Sequence, residues 1–206
     1  MPRTAARILP PPAADPGDEQ HRYLRKFKSS LVKRWSHTRM SELYEIVDLS
    51  VYLWALDRSE EALAVLRSVT TVITEPPRTR DGTVDYHLWC PVAAANALEA
   101  WLLRGRGDAA VRVATARIVA DPGLADNPDF LREQVTAAPE KMAAAAHEPS
   151  VRRACHRLSR TLIGLLLLTE LAAAGHPYAG YYDAADAARL VGTGRDLLHT
   201  RLAAAA

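Results

Sequence analysis

Cysteine is scarce in this chain of 206 residues, with Cys90 and Cys155 the only two. One pair is too few for the disulfide framework of a small secreted domain, so both are expected as free thiols. Long apolar runs are also missing. The most hydrophobic stretch, TLIGLLLLTELAAAG, contains Glu170 and is shorter than the roughly 20 residues a bilayer-spanning helix needs. The N-terminus, MPRTAARILPPPAADPGDEQ, has two Arg but no extended apolar core, which argues against a secretory signal. Together these absences lead to the expectation of a soluble cytoplasmic protein. Lysine is rare as well, 4 against 22 Arg, a bias that reads as the codon usage of a GC-rich bacterial genome. Alternating apolar and polar stretches are nearly absent, and no convincing strand can be drawn.

Alanine and leucine dominate what remains, and that balance favours helices. The expected class is all-α, in antiparallel helical hairpins or an irregular bundle of about seven or eight helices. Residues 1–19 hold five prolines among small residues and scattered charge, a composition that cannot bury a core. They read as a disordered leader, and residues 20–206 as a single helical domain, a length that suits one core.

Apolar spacing predicts helices over 19–35, 42–56, 59–73, 91–103 and 108–120. Shorter pieces follow between 127 and 147, then helices over 150–174 and 179–202. Ser59 has the position of an N-cap, with Glu60 and Glu61 at the favourable positive end. Pro91 suits a first helical turn, and Ser150 is the expected cap of the longest helix. Gly192 and Gly194 mark weak points in the last helix.

Part of the chain repeats. WALDRSEEALAVL begins at Trp54, and WLLRGRGDAAVRV, 47 residues on, shares its Trp, a Leu two places later, an acid at the eighth place and an Ala at the ninth. A close helix crossing needs a small residue, and Ala62 and Ala109 fill that place, with Leu66 and Val113 four residues further. Arg58 and Gly105 supply the turns. A third echo, LAAAGHPYAGYYDAADAA, lies 70 residues beyond the second and carries Asp183 where the others have a large apolar residue. This pattern resembles the tetratricopeptide repeat, a helix–turn–helix unit of about 34 residues. The wider spacing here implies an irregular array. The resemblance implies a concave face on the first helix of each hairpin. In the first hairpin that face is Tyr44, Val47, Val51 and Trp54, and in the second Pro91, Ala94, Leu98 and Trp101. Tyr44, Val51, Trp54, Leu98 and Trp101 are then the anchors of a partner-binding groove. The residues by themselves leave open whether Trp54 and Trp101 line a groove or close the core.

Charge is unevenly spread. Arg22, Arg25, Lys26, Lys28, Lys33, Arg34 and Arg39 fall within 22–41 without a single acid. Against a total of +2 and a leader of −1, these seven leave residues 42–206 at −4. A basic helix on a mildly acidic body is a solvated face, a patch for an acidic protein surface, or a nucleic-acid patch.

Signs of catalysis are thin. His87 with Cys90 and Cys155 with His156 are the only candidates for a zinc or thiol site, and neighbours on a helix point about 100° apart, which keeps Cys155 and His156 off one metal. Asp183 and Asp186 read as a solvated face, and Tyr178, Tyr181 and Tyr182 beside His176 as packing. Arg80 and His87 match a ribonuclease-like spacing that so many Arg and His produce by chance. The expected function is therefore non-enzymatic: a protein-binding adaptor or regulator, of which an immunity-type protein that neutralises its partner is one form, with no cofactor and no metal. The alternative is nucleic-acid binding through 22–39.

Overall fold

Seven helices make up the regular structure among the residues that the computed structural model describes: 40–70, 86–104, 108–119, 133, 135–175 and 183–204. They are α1 (Met40–Ala55), α2 (Ser59–Thr70), α3 (Tyr86–Leu103), α4 (Asp108–Val119), α5 (Ala138–Ala146), α6 (Val151–Ala173) and α7 (Ala184–Ala203). The chain is all-α, as its composition implies. The leader, the basic residues Arg22, Arg25, Lys26, Lys28, Lys33, Arg34 and Arg39, and the side chains of His87, Cys90 and Pro91 lie outside the described residues.

α6 is the centre. It packs against α1, α3, α4, α5 and α7. Six of the nine largest fully buried side chains are its leucines, at 158, 162, 165, 166, 168 and 171. At about 1.5–3 kcal/mol for each buried Leu, this one helix supplies a major share of the apolar drive to fold. Its partners α1 and α3 are also enclosed on every side. All residues over 46–55 are buried, and so are all over 93–100. An amphipathic helix has a wet face, whereas a helix buried all round has none. The first helices of both hairpins are therefore interior elements. Among the described residues no helix is long and apolar enough to cross a membrane.

Local signals fix most of the helix ends. Ser150 caps α6, its Oγ accepting from the Arg153 amide at 3.4 Å, and Gly175, in the left-handed region at φ +69°, follows the helix end. Asp183 caps α7 by accepting from the amides of Ala185 and Asp186 at 2.8 and 3.3 Å, and both acids are exposed, in keeping with the solvated face read from the sequence. α1 ends in a Schellman turn, with Arg58 N–H donating to Leu53 O at 2.9 Å and Asp57 N–H to Trp54 O at 3.1 Å. The left-handed position of that turn is held by Asp57, φ +62°, where glycine is usual.

Two sequence expectations change. Ser59 is the first residue inside α2, and Arg58 takes the half-in position before it, its carbonyl accepting from Ala62 N–H at 3.0 Å. α3 begins at Tyr86, which puts Pro91 in its second turn. There it forgoes one backbone bond, that to residue 87. The repeat also divides. Ala62 and Leu66 are fully buried, but Ala109 and Val113 are exposed, and it is Ala114 that α4 turns inward. The two hairpins are paired helices, yet equivalent letters do not occupy equivalent positions.

The two glycines of α7 differ sharply. A Cβ on Gly194 meets Met142 Cε at 2.7 Å and Leu162 Cδ2 at 2.9 Å, whereas Gly192 has open space around it. Gly194 is therefore the crossing point of α7 over α5 and α6. Gly194→Ala is expected to lower stability by about 1–2 kcal/mol, because overpacking of about 1–3 kcal/mol exceeds the gain in helix propensity. Gly192→Ala is expected to raise it by about 0.5–1 kcal/mol. Urea denaturation of the two variants checks both signs.

Candidate functional site

Three arginines share one arrangement, a guanidinium laid on an aromatic ring and tied to a carboxylate. Arg104, just beyond α3, lies 4.7 Å from the centroid of Trp101 and meets Glu170 of α6 at 2.5 Å. Arg160 of α6 lies 3.5 Å from the centroid of Tyr44 and 3.6 Å from Asp48 Oδ2, both on α1. Arg195 of α7 lies 5.5 Å from the centroid of Trp54, pairs with Asp57, and donates to Trp54 O at 3.2 Å. Arginine suits this role because its planar fork stacks on a ring while its edge donates to oxygen.

The proposed groove anchors lie inside this framework. Trp54 and Trp101 meet edge to face, with centroids 6.4 Å apart and planes at 72°, a preferred aromatic geometry. Trp54 is buried, and Val51 and Leu98 are completely so. Trp101 and Tyr44 are half-buried, each beneath its arginine. The structure brings the two Trp together, and it presents Val51, Trp54 and Leu98 to the core in place of an open channel. The reason is that α2, α3, α6 and α7 surround α1.

A second polar cluster carries no signal in the sequence beyond an acid set in the apolar run VDLSV. Asp48 is buried. Ser159 Oγ donates to its Oδ1 at 2.7 Å, and His156 Nδ1 lies 3.1 Å from its Oδ2. Serine, histidine and aspartate thus meet, but not as a nucleophilic triad. The hydroxyl is fully buried and bonds the carboxylate, where a triad needs it on the imidazole. What the cluster does is fix the exposed His156 and half-buried Arg160 on the surface of α6. Tyr52, buried nearby, is held protonated by burial and, less strongly, by Asp48. Burial also pushes the Cys155 thiol up to about 11, partly opposed by Arg201, which keeps it in the protonated form at neutral pH.

Asp48→Ala is expected to cost about 2–3 kcal/mol, since it orphans the buried Ser159 hydroxyl and frees Arg160. The cost should shrink when the same change is made on a Ser159→Ala background, a double-mutant cycle in urea being the measurement. Glu170, 1% exposed, gives a pH signature. Burial raises its pKa more than Arg104 lowers it. Its contribution to stability is therefore complete below the unfolded carboxyl value of about 4.3 and is lost as pH rises through the folded value. Removing the guanidinium with Arg104→Met raises that folded value further. The variant should lose about 2–4 kcal/mol at neutral pH, and the gap to wild type should narrow as acid protonates Glu170. A gap independent of pH would show that Arg104 acts through packing alone.

No protein-family model matches the chain, and comparison with curated proteins and with solved structures gives no match.

Proposed function

We propose that this chain is a non-enzymatic helical adaptor or regulator of the cytoplasm that binds another protein stoichiometrically through the outer face of its second hairpin. One observation carries the reading. Val113 of α4 is 53% exposed, the only large apolar side chain so exposed among the described residues. Ala109 and Ala116, also exposed, lie at i−4 and i+3 from it, which makes a small apolar ridge of helical spacing. Such a ridge, flanked by Ala110 and Arg112, is shallow enough for a partner helix to approach closely. We read the two hairpins, α1 with α2 and α3 with α4, as loosely tetratricopeptide-like units. In this reading the recognition surface lies on the second helix of a hairpin, and the Trp54–Trp101 pair supports it from within.

The test uses the full chain as bait in host lysate, identification of the captured protein, and reconstitution of the purified pair. Val113→Glu, with circular dichroism unchanged, is expected to weaken the reconstituted complex at least about tenfold, the effect of some 1.4 kcal/mol at an interface. Equal affinity of the variant and the wild type would move the partner surface elsewhere, and capture of no stoichiometric partner would remove the adaptor reading.

A further inference from the structure

The first turn of α6 carries no acid, as is also true of α3, and it differs from those of α2, α5 and α7. α2 opens with Glu60 and Glu61, α5 with Glu140 and α7 with Asp186, all suited to the positive end of a helix. α6 opens with no acid and with Arg152 and Arg153 at that end. Cations placed there oppose the helix dipole, so the choice works against local stability and asks for another reason.

Those two are the start of a face. Arg152, Arg153, His156, Arg157 and Arg160 stand at i, i+1, i+4, i+5 and i+8, which places them on one side of the helix over a rise of about 12 Å. Arg153, His156 and Arg157 are 64%, 55% and 53% exposed. Among the described residues, two carboxylates pair with them. Glu148 takes Arg153 at 3.0 Å and Arg157 at 3.7 Å, and Asp48 takes His156 and Arg160. Arg152 has no ion pair among the described residues. The cluster also holds its members in place, since Asp48 orients His156 and Tyr44 carries Arg160. This is an organised positive surface on a body of residues 42–206 whose net charge is −4.

We propose that this face of α6 binds the phosphate backbone of a nucleic-acid strand. The neighbouring α6 residues Ala154, Cys155, Leu158 and Ser159 are all buried, so the patch offers guanidinium and imidazole donors and no apolar anchor. Protein interfaces draw most of their energy from buried aromatic and apolar anchors. Nucleic-acid interfaces are polar and strongly positive, and arginine forks match phosphate oxygens. The contacts are to phosphate, so they position a strand without reading its sequence. The surface lies on a different helix from the ridge around Val113, and the two assignments stand or fall separately.

The probe is a fluorescein-labelled oligouridylate, titrated with the full chain by anisotropy over a series of salt concentrations. The double variant Arg152→Gln, Arg157→Gln is expected to bind more weakly. Its slope of log K against log salt should be shallower by about 1.4, at about 0.7 for each lost contact to a single strand. Arg152→Gln alone, which breaks no ion pair, should give about half that change and guards against a folding defect in the double variant. A second variant with Lys26, Lys28, Lys33 and Arg34 changed to Gln isolates the basic segment near the N-terminus. The proposal is overturned if wild type does not bind the oligonucleotide, or if only this second variant loses binding. It is also overturned if polyglutamate displaces the oligonucleotide at equal charge concentration, which would assign the face to an acidic protein.

Discussion

A guanidinium stacked on an aromatic ring and tied to a carboxylate is the contact on which the register of the interior helices depends. Arg160 joins α6 to α1 through Tyr44 and Asp48, Arg104 joins the end of α3 to α6 through Trp101 and Glu170, and Arg195 joins α7 to α1 through Trp54 and Asp57. Leucine packing alone is weakly directional, and an Ala/Leu-rich bundle can slide by a turn at little cost. A buried carboxylate has no such freedom. Asp48 and Glu170 must find their cations or carry the desolvation penalty unpaired, which selects one register. Three hydroxyls on α1 and α6 are answered locally. Ser50, Thr161 and Thr169 each donate to the carbonyl four residues back, which satisfies the hydroxyl without calling on another helix.

The same device ties the first described helix to the last. The final turn of α1 leaves carbonyls without helical partners. Arg195 takes that of Trp54 and His199 Nδ1 lies 2.9 Å from that of Ala55. Two cationic-type side chains of α7 thus sit at the negative end of α1, where the dipole favours them. Asp57 adds to this. Its left-handed backbone is unfavourable for a residue with a Cβ, and the pairing of its carboxylate with Arg195 gives that residue type a function glycine lacks.

Much of the local structure was legible in the sequence. The all-helical class, the caps at Ser150 and the approximate ends of α1, α4, α5 and α6 follow from signals within a few residues of each boundary. What periodicity cannot report is how many neighbours a helix has. α1 shows an apolar stripe, yet its other side is buried too, because Asp48 finds partners that are distant in the chain. That is why Trp54 and Val51 read equally as groove or core until the surrounding helices are placed. Likeness of letters failed at Ala109 for a related reason. The inward position of α4 is shifted by one residue, about 100° around the helix, which carries Val113 outward while Ala114 takes the inner place. The Asp48 cluster was beyond reach, since His156 and Ser159 lie more than a hundred residues from Asp48 and no local pattern marks the pairing.

Enclosure of α1, α3 and α6 also bears on where the two proposed contact surfaces lie. Asp48 and Glu170 are committed to contacts that fix the register, and a ligand could take either only by breaking those contacts. Among the described residues, the surfaces proposed for contact are ones that the interior holds rigid but does not use: the outer ridge of α4 and the cationic side of α6. The two differ in chemistry for a physical reason. α4 meets the core through a narrow inner strip around Ala114, so its outer side can be small and apolar without loss of packing. The first half of α6 must keep Asp48 and Glu148 neutralised, and that requirement draws arginines to the surface, where four guanidiniums outnumber two carboxylates. The pairs that stabilise the helix thus leave a positive excess facing water, so the same residues that hold α6 in place make it the side of the molecule toward which an anion is drawn.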